Sequence, residues 1–200
     1  QQEAKRLADD DAAGDWVGMG VSIDGDYAVV GCWQCDTGGD TNTGAAYTFI
    51  RSGTTWSQQA KLVASDAAGN DDGGRMVAIS GDYALMSASS KNTTTGAGYL
   101  FKRSGSNWSQ AQKLTASDAA NYDGFGFGLD LDGEYGLIGA YGNDDGGSIS
   151  GSAYIFYGDL TAPTISSVSL DADNTTIAVT MSEAVYNTNG GSGALEASDF

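Results

Sequence analysis

The chain contains a unit that occurs three times, and this repetition constrains its fold more than any other feature. Each unit has an Asp-Ala-Ala step, a glycine-rich alternating run, a turn followed by Tyr, an apolar run and a Tyr-x-Phe pair. The units start at leucines that are 55 and then 52 residues apart. Each leucine is followed by the aspartate of the Asp-Ala-Ala step: Leu7 by Asp11, Leu62 by Asp66, and Leu114 by Asp118. A fixed period of this length predicts a propeller or another repeat architecture.

The local pattern within each unit predicts β-strands. Apolar and polar residues alternate, no stretch keeps a helical period, and 30 glycines against one proline indicate many tight turns. We therefore expect an all-β protein of three four-stranded antiparallel units. The predicted first strands are 17–23, 75–79 and 125–131, and the second strands are 27–32, 83–88 and 135–140. The third strands are 45–51, 97–103 and 152–157. The outer fourth strands are 1–8, 58–64 and 111–116.

The third unit carries a family resemblance. Phe125-Gly126, Gly139-Ala140 and the closing Gly151-Ser-Ala-Tyr-Ile-Phe156 resemble the FG-GAP repeat, which builds bacterial surface propellers and the head of integrin α chains. The resemblance covers about residues 1–158 and implies propeller blades. It divides a domain 1–160 into units 1–57, 58–110 and 111–160.

Residues 161–200 differ from the repeats. They resemble the opening of the immunoglobulin-like repeats of large bacterial adhesins, and their alternation predicts two strands, near Ile165–Leu170 and Ile177–Met181, joined by a turn at 171–174. Two strands cannot bury both faces of a sandwich. We therefore expect this domain to be incomplete within the 200 residues or to pair with another element.

The charge of the chain limits its partners. With 26 acidic and 9 basic residues the net charge is −17, which excludes nucleic acid as a partner because phosphates require cationic neutralisation. No apolar run reaches 18 residues, so no transmembrane helix or membrane insertion is predicted. The resemblance implies an extracellular or cell-surface location, of the bacterial type.

The two cysteines stand close together, at Cys32 and Cys35. The sequence predicts a local disulfide, which would indicate an oxidising compartment. Free thiols and a redox or metal role are the alternatives. The chain has no histidine, so zinc lacks ligands and a Ser-His-Asp triad is impossible. We expect no enzymatic activity.

Aspartate-rich loops make Ca²⁺ the candidate cofactor. The turns Asp24-Gly-Asp26 and Asp132-Gly-Glu134 are too short to wrap calcium as integrin loops do, so we predict plain hairpins there. A second acidic set precedes the first strands, with Asp11 and Asp15 in the first repeat. In the other repeats its members, which are expected either to cap turns or to bind metal, are Asp66, Asp71, Asp72, Asp118 and Asp123.

Variable loops between the second and third strands are the predicted binding surface, because loops on a constant scaffold usually carry function. Their candidate contacts to a glycan or protein are Trp33, Tyr141, Asp144 and Asp145, with packing between blades as the alternative for the aromatic residues. The sequons at Asn92, Asn107 and Asn174 are candidate glycosylation sites.

The strand count suggests self-association. The chain begins with an orphan fourth strand around Lys5, Arg6 and Leu7, whereas the third unit lacks one, and an open strand edge recruits another strand. We therefore expect a non-enzymatic structural or adhesive protein that assembles head to tail, as an oligomer or filament, by strand complementation. The alternative is an adhesin-type propeller module that binds a glycan or protein, with or without Ca²⁺.

Overall fold

A computed structural model describes residues 4–5, 8–158, 165–170 and 177–181. The chain divides into two compact units, residues 1–158 and 159–200, so the boundary lies two residues before the predicted one. The prediction of an all-β protein is confirmed. The one helical element in the described residues is the short segment α1, Lys91–Thr94.

The described residues of the first unit form eleven strands. The second strand of each repeat has the bounds predicted from the sequence. The first strand of the middle repeat begins two residues earlier than predicted. The strands are β1 Val17–Asp24, β2 Tyr27–Cys32, β3 Ala45–Ser52, β4 Thr55–Leu62, β5 Gly73–Ser80, β6 Tyr83–Ala88, β7 Ala97–Ser104, β8 Asn107–Leu114, β9 Phe125–Asp132, β10 Tyr135–Ala140 and β11 Ser152–Tyr157.

These strands form three antiparallel meanders, named here blade 1 (β1–β4), blade 2 (β5–β8) and blade 3 (β9–β11). Two-residue hairpins join the first two strands of each blade. In blade 1 Asp24 pairs with Tyr27, and the intervening Gly25 has a φ of 55°. Glycine is favoured there because the first residue of such a turn needs a positive φ. Hairpins were predicted at these turns.

The fourth strands begin earlier than the sequence predicts. β4 spans Thr55–Leu62 and pairs with β3, and β8 spans Asn107–Leu114 and pairs with β7. The sequence boundaries 57/58 and 110/111 therefore fall inside strands, because each fourth strand completes the blade before it. Blade 3 has no fourth strand among the described residues.

The blades stack face to face, and their contact surfaces form the core. Here the front of a blade is the face toward the next blade, and the back is the face toward the preceding one. The front of blade 1 supplies Val29, which is buried against the back of blade 2 at Val77, Ile79 and Met86. Blade 3 packs on the front of blade 2 in the same way.

Close approach of the main chains between blades depends on glycine. Gly96 lies at the end of the blade 2 loop with a φ of 87°, and a Cβ added there would collide with the Phe125 main chain of blade 3. Gly44 has the same relation to Gly73, and both pairs form parallel bridges. Glycine thus lets consecutive blades meet at their inner ends.

In the second unit, the described residues form one antiparallel pair, β12 Ile165–Leu170 and β13 Ile177–Met181. Both strands span the alternating apolar positions of the sequence. The predicted turn 171–174 lies outside the described residues. An immunoglobulin-like identity for this unit stays a prediction.

Candidate functional site

The loops that precede the first strands place equivalent aspartates on the same partners in each blade. In blade 1, Asp10 accepts hydrogen bonds from the Tyr47 hydroxyl and the Lys61 ammonium, both at 2.7 Å. In blade 2, Asp66 accepts from Tyr99 at 2.7 Å and Lys113 at 2.6 Å. In blade 3, Asp118 accepts from Tyr154 at 2.8 Å.

These contacts correct the sequence alignment of the first repeat. Asp10, rather than Asp11, is the counterpart of Asp66, so the spacing is 56 residues and not 55. The leucine at position 7 therefore does not align with Leu62. The alignment failed because three consecutive aspartates, 9 to 11, made two registers look alike, and only the tyrosine partner distinguishes them.

The aspartate–tyrosine contacts change how these groups titrate. Hydrogen bonds from Lys61 and Tyr47 lower the pKa of Asp10. Desolvation alone would raise the pKa of Asp66, but hydrogen bonds from Lys113 and Tyr99 lower it. Desolvation, together with the Asp118 carboxylate, raises the pKa of Tyr154 to about 12. Each tyrosine is therefore a hydrogen-bond donor at neutral pH.

A second aspartate in each loop is buried and caps a turn. Asp15, Asp71 and Asp123 each accept the main-chain N–H three residues earlier at 2.8 Å. This is the turn-capping alternative for two of the candidate metal ligands, Asp71 and Asp123. Asp72 accepts a hydrogen bond from the Ser90 hydroxyl at 2.6 Å.

The residue at one buried position after the second strand differs in the three blades. It is Cys35 in blade 1, Lys91 in blade 2 and Asn143 in blade 3, and all three are buried. The loop hydrogen bonds make these positions equivalent, since each main-chain oxygen accepts the N–H of the glycine that immediately precedes the third strand. This equivalence is not visible in the sequence because the loops differ in length.

In blade 2 a lysine ammonium occupies the centre of the acidic loop. The Lys91 Nζ lies 2.6 Å from Asp71 Oδ2, 2.8 Å from the Asp66 main-chain oxygen and 3.6 Å from Asp66 Oδ2. These are the oxygens that a bound cation would use. Two of the candidate metal ligands of this repeat, Asp66 and Asp71, therefore contact a cation that belongs to the protein itself, and sequence reasoning missed Lys91.

Blade 3 has the loop whose chemistry best fits a divalent cation. Asn143 stands where blade 2 has Lys91, and among the described residues no ion pair involves Asp118 or Asp123. The Asp118 carboxyl interacts with Asp145, which raises the pKa of Asp145. Carboxylate and amide oxygens are the ligands that Ca²⁺ prefers, and a cation here would relieve the repulsion between the two carboxylates.

In blade 1 the residue at the equivalent position belongs to a disulfide. Cys32 and Cys35 are bonded to each other, as predicted, and both are buried. Asp15 lies beside them, and the Cys35 sulfur contacts the Tyr47 hydroxyl at 3.4 Å. The disulfide therefore fills the position that an ammonium fills in blade 2.

The predicted binding loops bring aromatic residues to the surface. Trp33 is half-buried, with the Arg75 guanidinium 5.5 Å from its ring and Trp16 against its edge. Tyr141 is exposed and packs edge-on against Phe127 at 4.7 Å. Asp144 accepts the Ile149 N–H at 2.5 Å, which closes its loop on itself.

The structure also locates the remaining candidates. Asn92 and Asn107 are exposed, and Asn174 lies outside the described residues. Two hairpin carboxylates have partners within the protein: Asp24 accepts the Gly81 N–H at 2.7 Å, and Asp26 pairs with Arg51 at 2.6 Å. Lys5 is outside any strand, so the expected strand 1–8 is not formed there. Arg6 and Leu7 lie outside the described residues.

No helix in the described part of the chain is long and apolar enough to cross a membrane.

Comparison with known proteins places these blades in a family. No curated protein matches the chain. The FG-GAP repeat model matches three segments, residues 1–49, 56–101 and 108–156, which together cover more than half of the sequence. FG-GAP repeats are typical of extracellular or surface proteins and are generally non-enzymatic. With three matched repeats folded as three stacked blades, the chain belongs to the FG-GAP repeat family.

Proposed function

We propose that this chain is a non-enzymatic structural module of a bacterial surface fibre, assembled head to tail by strand complementation. One observation carries the proposal. β4 and β8 complete blades 1 and 2, whereas β11 has no outer neighbour among the described residues. An edge of this kind presents main-chain N–H and C=O groups that can pair with a strand from another molecule.

The N-terminal segment has the sequence that fits the open edge. With the corrected spacing of 56 residues, Gln2–Arg6 aligns with Gln58–Leu62 of β4, and Lys5 aligns with Lys61. In β4, Lys61 pairs with Tyr47 across the ladder. The segment around Lys5 and Arg6 is therefore the donor strand, and its acceptor is β11 of a second copy.

A specific side-chain contact supports this pairing. The Asp10–Tyr47 and Asp66–Tyr99 pairs each receive a lysine from the fourth strand of their own blade. The Asp118–Tyr154 pair of blade 3 has the tyrosine alone. A donor strand in the register of β4 brings its Lys5 to Asp118 of the second copy, which completes the third set.

Deletion of residues 1–8 tests the proposal. We expect the 200-residue chain to form concentration-dependent oligomers in analytical ultracentrifugation, and the deletion variant to lose them. Lys5→Glu, which opposes Asp118, should weaken association, and Asp118→Lys in the second copy should restore it. Assembly of the deletion variant like the parent, or a strictly monomeric parent at millimolar concentration, contradicts strand donation.

The alternative function is an adhesin-type module that binds a glycan or protein. The observation that favours it is the exposed Tyr141 beside Phe127, above a shallow groove bounded by Gly128, Ala140 and Ser152. The neighbouring Asp118 and Asp145 carboxylates are the candidate calcium ligands. A calcium-dependent signal on a glycan array that Tyr141→Ala removes would establish this function, and no signal for the parent would reject glycan binding.

A further inference from the structure

We propose that copies of this chain stack with the back of blade 1 of one copy on the front of blade 3 of the next, reproducing the contacts that join consecutive blades within the chain. The inference rests on the proposed head-to-tail assembly but concerns a different surface, the sheet faces rather than the edge of β11. The occupant of each face is a second copy of the chain.

The front of blade 3 exposes two apolar side chains, and Asp130 lies beside them where blade 2 has the buried Ala78. Leu137 is 45% exposed, whereas its counterparts Val29 and Leu85 are 1% and 0% exposed because the next blade covers them. Ile155 is 76% exposed, and its counterpart Leu100 in blade 2 is 3% exposed. Blade 3 therefore carries the front-face residues that are buried in the other blades.

The back of blade 1 shows the complementary pattern. Val21 and Ile23 are 66% and 65% exposed, whereas their counterparts Val77 and Ile79 are 7% and 5% exposed under blade 1. In blade 2 those two side chains pack against the front face that holds Val29. The two end faces are thus the two halves of an interface that already exists inside the molecule.

The loops at the inner ends of the blades provide main-chain partners. The carbonyls of 41–43 accept three N–H groups from 70–73, and the carbonyls of 93–95 accept the equivalent three from 122–125, at 2.8 to 3.2 Å. In the end blades the equivalent groups are the carbonyls of 148–150 and the N–H groups of Gly14, Trp16 and Val17. A stacked second copy brings these two sets together as a third ladder.

Polar contacts between the blades extend in the same register. The side chains of Asp24 and Ser80 accept the N–H of Gly81 and Gly133 in the next blade, at 2.7 and 3.0 Å. Their counterpart in blade 3 is Asp132, which would accept the Gly25 N–H of the second copy.

A cation–aromatic contact between the blades also has an equivalent pair between copies. The Arg103 guanidinium lies 3.9 Å from the centre of the Tyr27 ring across the first interface. The equivalent pair between copies is Tyr135 of blade 3, which is exposed, and Arg51 of blade 1. An arginine over a tyrosine face stabilises a contact most when neighbouring surfaces exclude water.

This geometry favours a second copy over an unrelated partner. Each end offers the half of the interface that the other end lacks, so the contact is heterologous, and a stack that does not close continues as a filament. Large apolar patches left uncovered on a soluble protein mark interaction sites.

Two variants of the full 200-residue chain test the stacking. Leu137→Asp/Ile155→Asp disables the front of blade 3, and Val21→Asp/Ile23→Asp disables the back of blade 1. All four side chains are exposed in the single copy, so circular dichroism and thermal unfolding should match the parent. Each variant alone should be monomeric, with association weakened on the order of a hundredfold, because an unpaired carboxylate would be buried between the copies.

Mixing the two variants gives the decisive measurement. Each keeps one intact face, so an equimolar mixture should form a 1:1 dimer in sedimentation velocity and nothing larger. The matched control, Ser106→Asp/Asn107→Asp, adds the same charge to an exposed hairpin outside both faces and should assemble like the parent. A parent that stays monomeric at millimolar concentration, or variants that do not pair when mixed, would overturn the stacking.

The outcome also separates stacking from strand donation. If the face variants abolish assembly while deletion of residues 1–8 does not, the stacking stands and strand donation fails. If the deletion abolishes assembly and the face variants leave it unchanged, strand donation stands and the stacking fails.

Discussion

At the scale of single residues, one loop position has three chemical solutions. Cys35, Lys91 and Asn143 are equivalent and buried. Cys35 and Asn143 contact tyrosine hydroxyls, whereas Lys91 pairs with the buried Asp71. Blade 2 balances its two aspartates with an ammonium, whereas blade 1 uses a disulfide and blade 3 an amide. The three blades therefore share the structure of the acidic loop and differ in the residue at this one buried position.

We expect Lys91→Met to destabilise the first unit by about 3 kcal/mol, because Asp71 would stay buried without a countercharge. Lys113→Met is the matched control: Lys113 also pairs with Asp66, but its side chain is 36% exposed, so its loss should cost less than about 1 kcal/mol. Urea unfolding at neutral pH measures both. Equal effects of the two substitutions would show that burial does not set the strength of these pairs.

The register correction predicts which aspartate governs acid stability in the first repeat. Because hydrogen bonds from Lys61 and Tyr47 lower the pKa of Asp10 in the folded state, its stabilisation is present above the pKa of the unfolded chain, near 3.8. That stabilisation is lost as pH falls through the lower folded value. Asp10→Asn should therefore lower the thermal midpoint at pH 7, and the difference from the parent should shrink as pH falls below about 3.8.

Asp11→Asn is the control, since Asp11 is the residue that the sequence alignment paired with Asp66. It should unfold like the parent at both pH values. The Asp10 effect should stay below about 1 kcal/mol because the pair is partly exposed. A larger loss from Asp11→Asn than from Asp10→Asn would restore the alignment of Asp11 with Asp66.

At the scale of elements, the joints between blades depend on glycine in a left-handed conformation. Gly96 and Gly105 both have positive φ, 87° and 63°, but their surroundings differ. A Cβ at Gly96 would meet the Phe125 main chain, whereas nothing lies within 4 Å of one at Gly105. A side chain at either position would strain the left-handed backbone, but only one at Gly96 would also collide with the next blade.

We expect Gly105→Ala to cost about 1 kcal/mol, the price of a left-handed alanine. Gly96→Ala should cost at least about 3 kcal/mol, since blade 3 must also move away from blade 2. Chemical denaturation measures both variants. Equal costs would mean that the main-chain contact between Gly96 and Phe125 does not stabilise the joint.

At the scale of the whole molecule, the net charge of −17 opposes any self-assembly. In the proposed assembly, apolar end faces and an open edge attract a second copy, whereas two acidic chains repel each other at long range. The Debye length falls from about 30 Å at 0.01 M salt to about 3 Å at 1 M salt, so added salt screens the repulsion and leaves apolar contact intact. Assembly should therefore depend on ionic strength.

We expect association of the full chain to strengthen as NaCl rises from 20 to 500 mM, measured by sedimentation equilibrium. The front-face variant, Leu137→Asp/Ile155→Asp, is the control and should stay dissociated throughout. If salt weakens association of the parent instead, ion pairs between copies, such as Lys5 with Asp118, dominate over apolar contact.

The sequence alone determined the local structure of this protein. Alternation and turn glycines place strands within a few residues, as in β2, β6 and β10, because side-chain direction in a strand has a period of two. The closing motif Gly151–Phe156 indicated the family, which the matches confirm. The Cys32–Cys35 disulfide was also predicted, since only two residues stand between its cysteines.

Only the tertiary structure decided which residues of different blades share a site. The register of Asp10 is fixed by the Tyr47 hydroxyl, and the equivalence of Lys91 with Cys35 emerges only when strands pair across loops of unequal length. The same holds for the end faces: Val21 and Val77 read alike in the sequence, but one is exposed and the other buried. Burial depends on which blade lies against a strand, and a local pattern carries no record of that neighbour.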